Sequence, residues 1–404
     1  NMKKILLILL TSIFVISCFD SSDKSKTTEI TNKSNEYNDE KISDELKIIW
    51  EAYEILAEEY IDKENLNPEN LAEEAIKGML NSLNDPYTSY VPPETFKIDQ
   101  ESFMGHFGGI GANVEDSPDN NGILITKPLP NTPAENSGIK SGDRIIRING
   151  EDCTNMTVLE AVNKIRGEKG TPVTLTIIRI GVETELDITI TRDIIDTPSV
   201  DSYEVPDTDF VRIVISQFTA KTHDEIIKII DKHTDENIKG FILDLRGNPG
   251  GLLSSTVNVA SLFIDEGLIT YEITSDGNRE EWNVRKTKDY KNLPIVTLVD
   301  RYSASGSEVL AGALQDHKRS IIIGEKTFGK GSVNMMSSLS NEGGIYVTIG
   351  RWYTPNGRLI ENLGIEPDLI IENKLLSELN AYDEDFVDLQ LNAAITQLNF
   401  ETRN

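Results

Sequence analysis

Two short runs of apolar residues place the strongest constraint on how this chain can fold. Residues 241–245 (FILDL) and residues 295–299 (IVTLV) are each apolar at four of five positions. A strand with one face in water alternates apolar and polar side chains, whereas a strand that is covered on both faces does not. The two runs therefore predict strands that lie inside a layered domain rather than at its surface.

The residues around these runs alternate strand and helix patterns from about residue 193 to residue 404. Thr222 and Glu225 have the spacing of a capping box, which predicts a helix that begins there and continues to about His233. Asn356-Gly357 is typical of a tight hairpin turn.

The composition excludes several classes of protein. Lys and Arg number 39 against 67 Asp and Glu, which gives a formal net charge of −28. A surface this acidic repels phosphate backbones, so we exclude nucleic-acid binding. The two cysteines, Cys18 and Cys153, and four scattered histidines provide neither a disulfide framework nor a zinc site. No metal or organic cofactor is expected.

The N-terminus has the features of an exported protein. Two lysines precede the uncharged run 5–17, a layout typical of a secretory signal and too short to span a bilayer. Residues 15–18 (VISC) resemble the lipobox of bacterial lipoproteins, which implies a signal peptide over 1–18 and a lipid on Cys18; an ordinary signal peptide is the alternative. Residues 19–42 are mostly polar and predict a flexible tether. We expect a lipid-anchored protein on the periplasmic or extracellular side of a bacterial envelope.

Residues 43–104 predict a small helical module. Apolar residues recur there at intervals of three and four, and Asn67-Pro68 offers an N-cap followed by a first helical position. Asn84-Asp85-Pro86 is expected to end the second helix. Pro92-Pro93 is expected to keep the residues that follow out of regular structure.

Residues 105–192 change to short β-branched runs separated by glycine and asparagine, with one helix capped by Thr157 and Glu160. This region resembles a PDZ domain. The resemblance is carried by Gly108-Gly109-Ile110-Gly111-Ala112, Pro133-Ala134, Gly138-Ile139, Gly142-Asp143 and Asn149-Gly150. It implies that the backbone N–H groups of a loop bind the C-terminal carboxylate of a peptide that adds as an extra strand. The residues of that loop are Gly109, Ile110, Gly111 and Ala112.

Two later stretches could carry chemistry. Residues 298–308 (LVDRYSASGSE) have the pattern of a strand, a short loop and a helix start. A serine at that start lies beside free backbone N–H groups and the positive end of the helix dipole, which favours an oxyanion. Ser305 and Glu308 also have capping-box spacing, and that is the structural alternative. Residues 324–331 (GEKTFGKG) follow, with Lys330 25 residues after Ser305.

A serine hydroxyl needs a base before it becomes a good nucleophile. The sequence has no Gly-x-Ser-x-Gly elbow and no histidine in a matching motif; we interpret His317 as a surface or hydrogen-bonded histidine. A lysine can serve as the base only when it is neutral, so burial must lower its pKa from ~10.4 by several units.

Together these motifs resemble the carboxyl-terminal processing (tail-specific) peptidases, which are secreted serine proteases with a Ser/Lys dyad and an inserted PDZ domain. The resemblance also includes residues 85–90 (DPYTSY) and 244–251 (DLRGNPGG), in the family's order. It implies an α+β multidomain chain: helical module, PDZ domain and, over 193–404, an α/β catalytic domain of the ClpP/crotonase type with a C-terminal extension. Two sheet-and-helix halves are implied for that catalytic domain.

The resemblance also assigns roles to single residues. It makes Ser305 the nucleophile, Lys330 the general base, and the N–H groups of Gly306 and Gly251 the oxyanion hole. The family has a glutamine four residues after the lysine, and here that position is Asn334, whose amide is one methylene shorter. If the segment is extended, Asn334 lies on the same strand face as Lys330 and could orient it.

Two other functions stay open at this point. Residues 324–330 fit G-x-x-x-x-G-K of a phosphate-binding loop, but Gly331 replaces the required Ser or Thr and no helical pattern follows. The second is a PDZ-bearing binding or adaptor protein with weakened catalysis, for which Asn334 is the hint. For the protease we expect protein or peptide substrates with free C-termini, and a homo-oligomer or an adaptor protein as further partners.

Overall fold

The computed structural model describes residues 43–117, 121–234, 238–373 and 387–403. The predicted signal peptide, Cys18 and the tether lie outside the described residues. Within the described ranges, no helix combines the length and the apolar character needed to cross a membrane.

The N-terminal segment is helical, as predicted. Its elements are α1 (Asp44–Glu59), a 3-10 turn (Lys63–Asn65), α2 (Pro68–Asn81), β1 (Ser89–Val91) and α3 (Pro93–Met104). Asn67 caps α2, because its side chain accepts hydrogen bonds from the first free N–H groups of the helix. The expectation of irregular structure after Pro92-Pro93 is wrong. Pro93 takes the first position of α3, where its missing N–H is not needed and its fixed φ suits a helix.

The β-rich region matches the predicted PDZ domain. Its elements are β2 (His106–Gly109), β3 (Ala112–Asp116), β4 (Ile123–Pro128), α4 (Pro133–Asn136), β5 (Arg144–Ile148), β6 (Glu151–Asp152), α5 (Val158–Ile165), β7 (Pro172–Ile178) and β8 (Leu186–Thr191). The sheet runs in the order β3-β4-β5-β7-β8, with β6 paired to β5, so β3 is an edge strand. The predicted capping box of α5 is confirmed: Thr157 accepts from the N–H of Glu160, and Glu160 accepts from the N–H of Thr157.

The C-terminal region, which the resemblance predicts to be catalytic, begins with β9 (Asp193–Asp196), which pairs with β2 of the PDZ region. The elements that follow are β10 (Val200–Glu204), β11 (Phe210–Ile215), α6 (Thr222–Thr234), β12 (Gly240–Asp244), α7 (Leu253–Phe263), β13 (Leu268–Thr274), β14 (Arg279–Asn283), β15 (Ile295–Val299), α8 (Gly306–Asp316), β16 (Ile321–Gly324), β17 (Ser332–Ser338), β18 (Gly344–Tyr353), β19 (Leu369–Ile370) and α9 (Leu389–Glu401). Helices α6, α7 and α8 are interspersed among strands β11 to β16, as predicted, and β16 to β19 then follow one another with no helix between them in that described stretch of the chain.

Two sheets organise this region. The first has the order β10-β11-β12-β15-β16-β19, parallel except for β10. Alternate residues of β12 face two cores: Phe241 and Leu243 pack with residues of α6, α7 and α8, whereas Ile242 packs with residues of α9. The prediction that the apolar runs are strands covered on both faces is therefore confirmed.

The second sheet has the order β1-β18-β13-β14, with β17 also paired to β18. Its buried residues, among them Ile269, Val333 and Trp352, share one core with α7 and α8. These two helices thus pack between the sheets, and the residues at the start of α8 are buried. Strand β1 comes from the predicted helical module, so residues of that module form part of the second sheet.

One predicted capping box is wrong. Helix α6 begins at Thr222 as expected, but the Thr222 hydroxyl accepts from the N–H of Thr219 at 2.8 Å. The carboxylate of Glu225 accepts from the N–H and the hydroxyl of Ser199, at 2.9 and 2.7 Å. The Thr222 hydroxyl also lies 2.7 Å from the Ser199 hydroxyl. Both side chains therefore attach the helix to Ser199, the residue before β10, and do not form the local capping box.

The predicted turn at Asn356-Gly357 is confirmed. Gly357 has a φ of +86°, and the N–H of Thr354 donates to the carbonyl of Arg358 across the turn. Glycine adopts this left-handed conformation without a steric penalty.

Candidate active site

Ser305 lies at the junction of β15 and α8, so the predicted strand, loop and helix start are confirmed. Its backbone has φ +55° and ψ −113°, a combination that residues with a side chain rarely adopt. The side chain is fully buried, and its hydroxyl has no hydrogen-bond partner among the residues described, Lys330 included. A buried, unpaired hydroxyl on a strained turn is typical of a serine that reacts with a substrate.

Glu308 is the buried acceptor that holds this junction together. One carboxylate oxygen accepts from the N–H of Ser305 and from the N–H of Lys330, each at 2.8 Å. The other accepts from the Thr327 hydroxyl and the Gly329 N–H, each at 2.6 Å. Burial raises the pKa of Glu308 above its ordinary value, and the four donors oppose that shift.

The sequence predicted that Glu308 and Ser305 form a capping box at the start of the helix, and this is half of the role of Glu308. Its bond to the Ser305 N–H is the capping contact, and its bonds to residues 327–330 attach the lysine loop to the serine loop. The N–H groups of Ser305 and Lys330 share one oxygen atom, so their two nitrogens are separated by at most twice the 2.8 Å distance from donor to acceptor. No local pattern shows these additional partners, because the lysine loop is about 20 residues away in sequence.

The Gly250-Gly251 pair lies directly against the serine. A Cβ added at Gly250 would come within 2.8 Å of the Ser305 Cβ and 2.9 Å of the Gly306 nitrogen. The Gly250 N–H donates to Asn248, whereas the N–H groups of Gly251 and Gly306 have no acceptor within the described parts of the chain. Both donors that the resemblance implied are therefore available to a substrate oxygen.

Lys330 lies between β16 and β17 and is 5% exposed. Burial lowers the pKa of Lys330 to about 8, while the carboxylates of Glu308 and Glu361 act in the opposite direction. A lysine base needs a pKa several units below its usual range, and burial moves the pKa of Lys330 in that direction. The phosphate-loop alternative is wrong, because strand β17 and not a helix follows the lysine.

Asn334 lies in a different set of contacts from the one expected. Its amide nitrogen donates to the carbonyl of Tyr87 at 2.8 Å and to the Thr348 hydroxyl at 3.2 Å, and its oxygen accepts from the Ser332 hydroxyl at 3.0 Å. The alternation assumed for this segment does not hold, because β17 begins only at Ser332 and its register shifts between residues 333 and 334. Orientation of Lys330 by Asn334 stays a prediction.

The arrangement suits acyl transfer. It combines an unpaired serine hydroxyl, a buried lysine with a lowered pKa, and two backbone N–H groups without an acceptor among the described residues, those of Gly306 and Gly251. The nucleophile–base hydrogen bond is not formed in this structure, and such bonds often tighten only when substrate is present. His317 is the expected hydrogen-bonded histidine, since its Nε2 lies 2.7 Å from the Leu268 carbonyl oxygen. Among the described residues, no group of three or more His, Cys, Asp and Glu could hold a metal ion.

The predicted carboxylate-binding loop connects β2 to edge strand β3. The carbonyls of Ile110 and Gly111 accept from the N–H groups of Ala134 and Leu129, which anchors the loop. The N–H groups of Ile110 and Gly111 themselves have no acceptor in the part of the chain that the structure describes. Gly111 has a φ of +75°, which glycine adopts easily. The loop therefore offers two donors next to a strand edge that is unpaired within the described residues.

Comparisons with known proteins agree with this geometry. Family models match for "Peptidase family S41" over residues 209–371, for the PDZ domain over residues 102–178, and for the "Activating protease CtpB N-terminal domain" over residues 6–95. The carboxy-terminal-processing protease of Bartonella bacilliformis is 38% identical over 391 residues, which cover 95% of this chain and 87% of that protein.

Two further matches have the same kind of name. The carboxy-terminal processing protease CtpA of Bacillus subtilis is 38% identical over 335 residues, covering 83% of this chain and 70% of that protein. Among solved structures, a photosystem II D1 C-terminal processing protease is 26% identical with a TM-score of 0.48, covering 82% of this chain and 94% of that chain.

The fold and the site define a serine-type protease, a hydrolase that carries a PDZ domain. The chain belongs to the carboxy-terminal processing proteases of peptidase family S41. The α+β multidomain organisation inferred from the motifs is confirmed. These relatives support an enzyme and not the alternative, a PDZ-bearing binding or adaptor protein with weakened catalysis.

Proposed function

We propose that the protein is an envelope-anchored endopeptidase that binds the C-terminal end of a substrate protein and cleaves near that end with a Ser305/Lys330 dyad. The observation that carries the dyad is the buried Glu308 carboxylate, which accepts from the N–H groups of both residues through one oxygen atom. This shared acceptor keeps the two loops together although 24 residues separate Ser305 from Lys330 in the sequence.

The reaction proceeds in two halves. Neutral Lys330 takes the proton of Ser305 as Oγ attacks the scissile carbonyl carbon, and the N–H groups of Gly251 and Gly306 stabilise the oxyanion. Lys330 then gives that proton to the leaving amine, and the C–N bond breaks to leave an acyl ester on Ser305. A water molecule then attacks the ester carbon and transfers a proton to Lys330. The bond from the acyl carbon to Oγ breaks, Lys330 returns the proton to Ser305 Oγ, and the carboxylic acid product leaves.

Substrate selection is proposed to occur at the PDZ domain. An incoming peptide would pair with edge strand β3, and its terminal carboxylate would accept from the N–H groups of Ile110 and Gly111. These donors are already free and their loop is anchored through its carbonyls, so the site needs little reorganisation. Protein substrates with free C-termini are the partners that this chemistry recognises.

Amidating the C-terminus of an apolar-ended peptide substrate should weaken its binding to the full-length protein. The amide removes a charge-assisted hydrogen bond and leaves the rest of the peptide unchanged. We expect a loss of about 1.5–3 kcal/mol, or roughly ten- to hundredfold in Kd. Calorimetry with the Ser305→Ala protein measures this without cleavage. Equal binding of the free and amidated peptides would show that the domain does not read the carboxylate.

A pair of glycine variants provides the matched control. Gly111→Ala adds a Cβ in the binding loop that would come within 2.5 Å of the Thr132 side chain and so displace the loop. Gly142→Ala adds one at a similar positive φ, +89°, in open space of the same domain. Both carry comparable backbone strain. We expect only Gly111→Ala to abolish the preference for the free carboxylate. A similar loss in Gly142→Ala would mean that domain stability, and not the loop, decides the preference.

The envelope anchor is proposed from the N-terminal sequence alone, since Cys18 lies outside the described residues. Cys18→Ser should move the mature protein from the membrane fraction to the soluble periplasmic or secreted fraction, because a 13-residue apolar run is too short to hold it. Fractionation together with labelling by a fatty acid measures this. A variant that stays on the membrane, with no label taken up by the wild type, would contradict the lipoprotein proposal.

Self-association is proposed through helix α1. The helix has no buried residue and exposes apolar side chains along its length: Leu46, Ile48, Ile49, Trp50, Ile55 and Leu56. Leu46, Ile49, Trp50 and Leu56 fall on one face of the helix, and an exposed apolar stripe of this kind is typical of a protein–protein contact. A homo-oligomer would bury it, and an adaptor protein on the same surface is the other partner that the sequence predicted.

A further inference from the structure

Tyr87 places an aromatic ring beside the proposed general base. The Lys330 Nζ lies 5.3 Å from the centre of the Tyr87 ring, inside the roughly 6 Å within which an ammonium group interacts with a ring face. Tyr87 belongs to the segment that joins α2 to β1, before the PDZ domain, whereas Lys330 belongs to the catalytic region. The N-terminal segment therefore contributes a side chain to the surroundings of the lysine.

The backbone of Tyr87 is fixed on both sides. Its N–H donates to the Asp85 carboxylate at 3.0 Å, and its carbonyl accepts from the amide of Asn334 at 2.8 Å. The next residue, Thr88, accepts from the N–H of Thr348 at 3.1 Å, and β1 then pairs with β18. These contacts hold the ring in place, and they show a use for Asn334 that does not require contact with Lys330.

We propose that the ring face of Tyr87 stabilises the positive charge that develops on Lys330 as it takes the proton from Ser305, which makes Tyr87 a positioning residue for the base. This inference rests on the proposed Ser/Lys function. Lys330 is neutral before the proton transfer and cationic after it, in a site with little water. A ring face favours the cationic form and does not itself take up an ammonium N–H group.

Two carboxylates also favour the ammonium form of the lysine, those of Glu308 and Glu361. Glu308 already accepts four hydrogen bonds from backbone and Thr327, whereas Glu361 reaches Arg351 only through Oε1, at 3.9 Å, and its buried Oε2 has no hydrogen-bond partner among the described residues. Asp85 is bound to Tyr87 and Thr88. Burial, with Glu361 and Glu308, raises the pKa of Tyr87, so its hydroxyl stays protonated and the ring stays neutral while Lys330 titrates.

Two substitutions in the full-length protein test this proposal: Tyr87→Phe keeps the ring and Tyr87→Leu removes it. The assay measures kcat and KM on an unstructured peptide with a free C-terminus between pH 6 and pH 10. For Tyr87→Leu we expect kcat and kcat/KM to fall together by about tenfold, because the lost interaction exists mainly in the transition state. Tyr87→Phe should restore most of the activity.

The pH profile separates this role from a purely structural one. The activity of the wild type should rise with a midpoint near the Lys330 pKa of about 8. Removing a group that favours the ammonium lowers that pKa, so the rise in Tyr87→Leu should move to lower pH by about half a unit to one unit.

Tyr90→Leu is the matched control, since Tyr90 lies three residues further along, in β1, and bonds instead to Glu73 and Asn341. It should leave the position of the rise unchanged. Pentafluorophenylalanine at position 87 keeps the shape of the ring and removes the negative face, so it should act like Tyr87→Leu even if that variant folds poorly.

Two results would overturn the inference. One is a pH profile that stays in place both in Tyr87→Leu and with pentafluorophenylalanine at position 87. The other is a loss of kcat in Tyr87→Phe as large as in Tyr87→Leu. Lys330→Met distinguishes failure of the Tyr87 role from failure of the Ser305/Lys330 dyad. If Lys330→Met is inactive while Tyr87→Leu behaves like the wild type, only the role of Tyr87 fails. If Lys330→Met keeps its activity, the proposed dyad fails.

Discussion

Ser305→Ala and Lys330→Met should each lower kcat on an unstructured protein substrate by about 10³- to 10⁶-fold, and the double variant should lose no more than either single one. The reason is that nucleophile and base act as one unit: without the lysine the hydroxyl keeps its proton, and without the hydroxyl the lysine has nothing to activate. Mass mapping of cleavage products measures the residual activity.

Lys330→Arg sharpens this test. Arginine preserves the positive charge and a long side chain, but it cannot be deprotonated in a protein. We therefore expect it to be as inactive as Lys330→Met, whereas a lysine that only held a charge would be replaced by arginine with partial activity. His317→Gln is the control, because His317 bonds to the Leu268 carbonyl away from the serine and should not affect the rate. Activity in Lys330→Arg would contradict the role of base.

Glu308→Gln should lower kcat by at least about 10²-fold and the free energy of unfolding by about 3 kcal/mol. All four partners of the carboxylate donate hydrogen bonds. In either orientation the glutamine NH₂ faces an N–H donor: Gly329 on one side, or Ser305 and Lys330 on the other. Buried donors left without an acceptor lose stability, and the serine and lysine loops lose their common attachment.

Glu160→Gln is the matched control for this change. Glu160 accepts from the N–H of Thr157 in the same kind of capping box, but it is exposed to water. Water can replace the lost contact, so we expect a change of at most about 0.5 kcal/mol in unfolding free energy and none in kcat. Urea unfolding of both variants measures the difference. A Glu308→Gln protein as stable and as active as Glu160→Gln would show that the four bonds do not hold the site together.

The local elements could be predicted where short-range chemistry decides them. The apolar runs at 241–245 and 295–299 are buried strands, the Thr157/Glu160 cap begins α5, and Ser305 follows a strand and precedes a helix. In each case the determining interactions lie within a few residues, so the pattern in the sequence and the structure have the same cause.

Predictions were wrong where a local signal competed with a distant partner or with a second local rule. Thr222 and Glu225 have capping-box spacing, yet both side chains bond to Ser199, which is 23 and 26 residues away from them. Pro92-Pro93 is a breaker in most contexts, but a proline at the first position of a helix is favourable, and Pro93 begins α3.

What the sequence by itself determined about this protein is the order of its elements, the family to which it belongs, and the residue types that could carry the chemistry. The tertiary structure alone decided what surrounds them: Glu308 joins the serine loop to the lysine loop, Asn334 holds the carbonyl of Tyr87, and the Tyr87 ring faces Lys330. Asn334 and Tyr87 are 247 residues apart in the chain. Contacts over such a separation leave no periodic pattern, because they depend on how the sheets and helices pack, and burial, which lowers the Lys330 pKa, is a property of that packing alone.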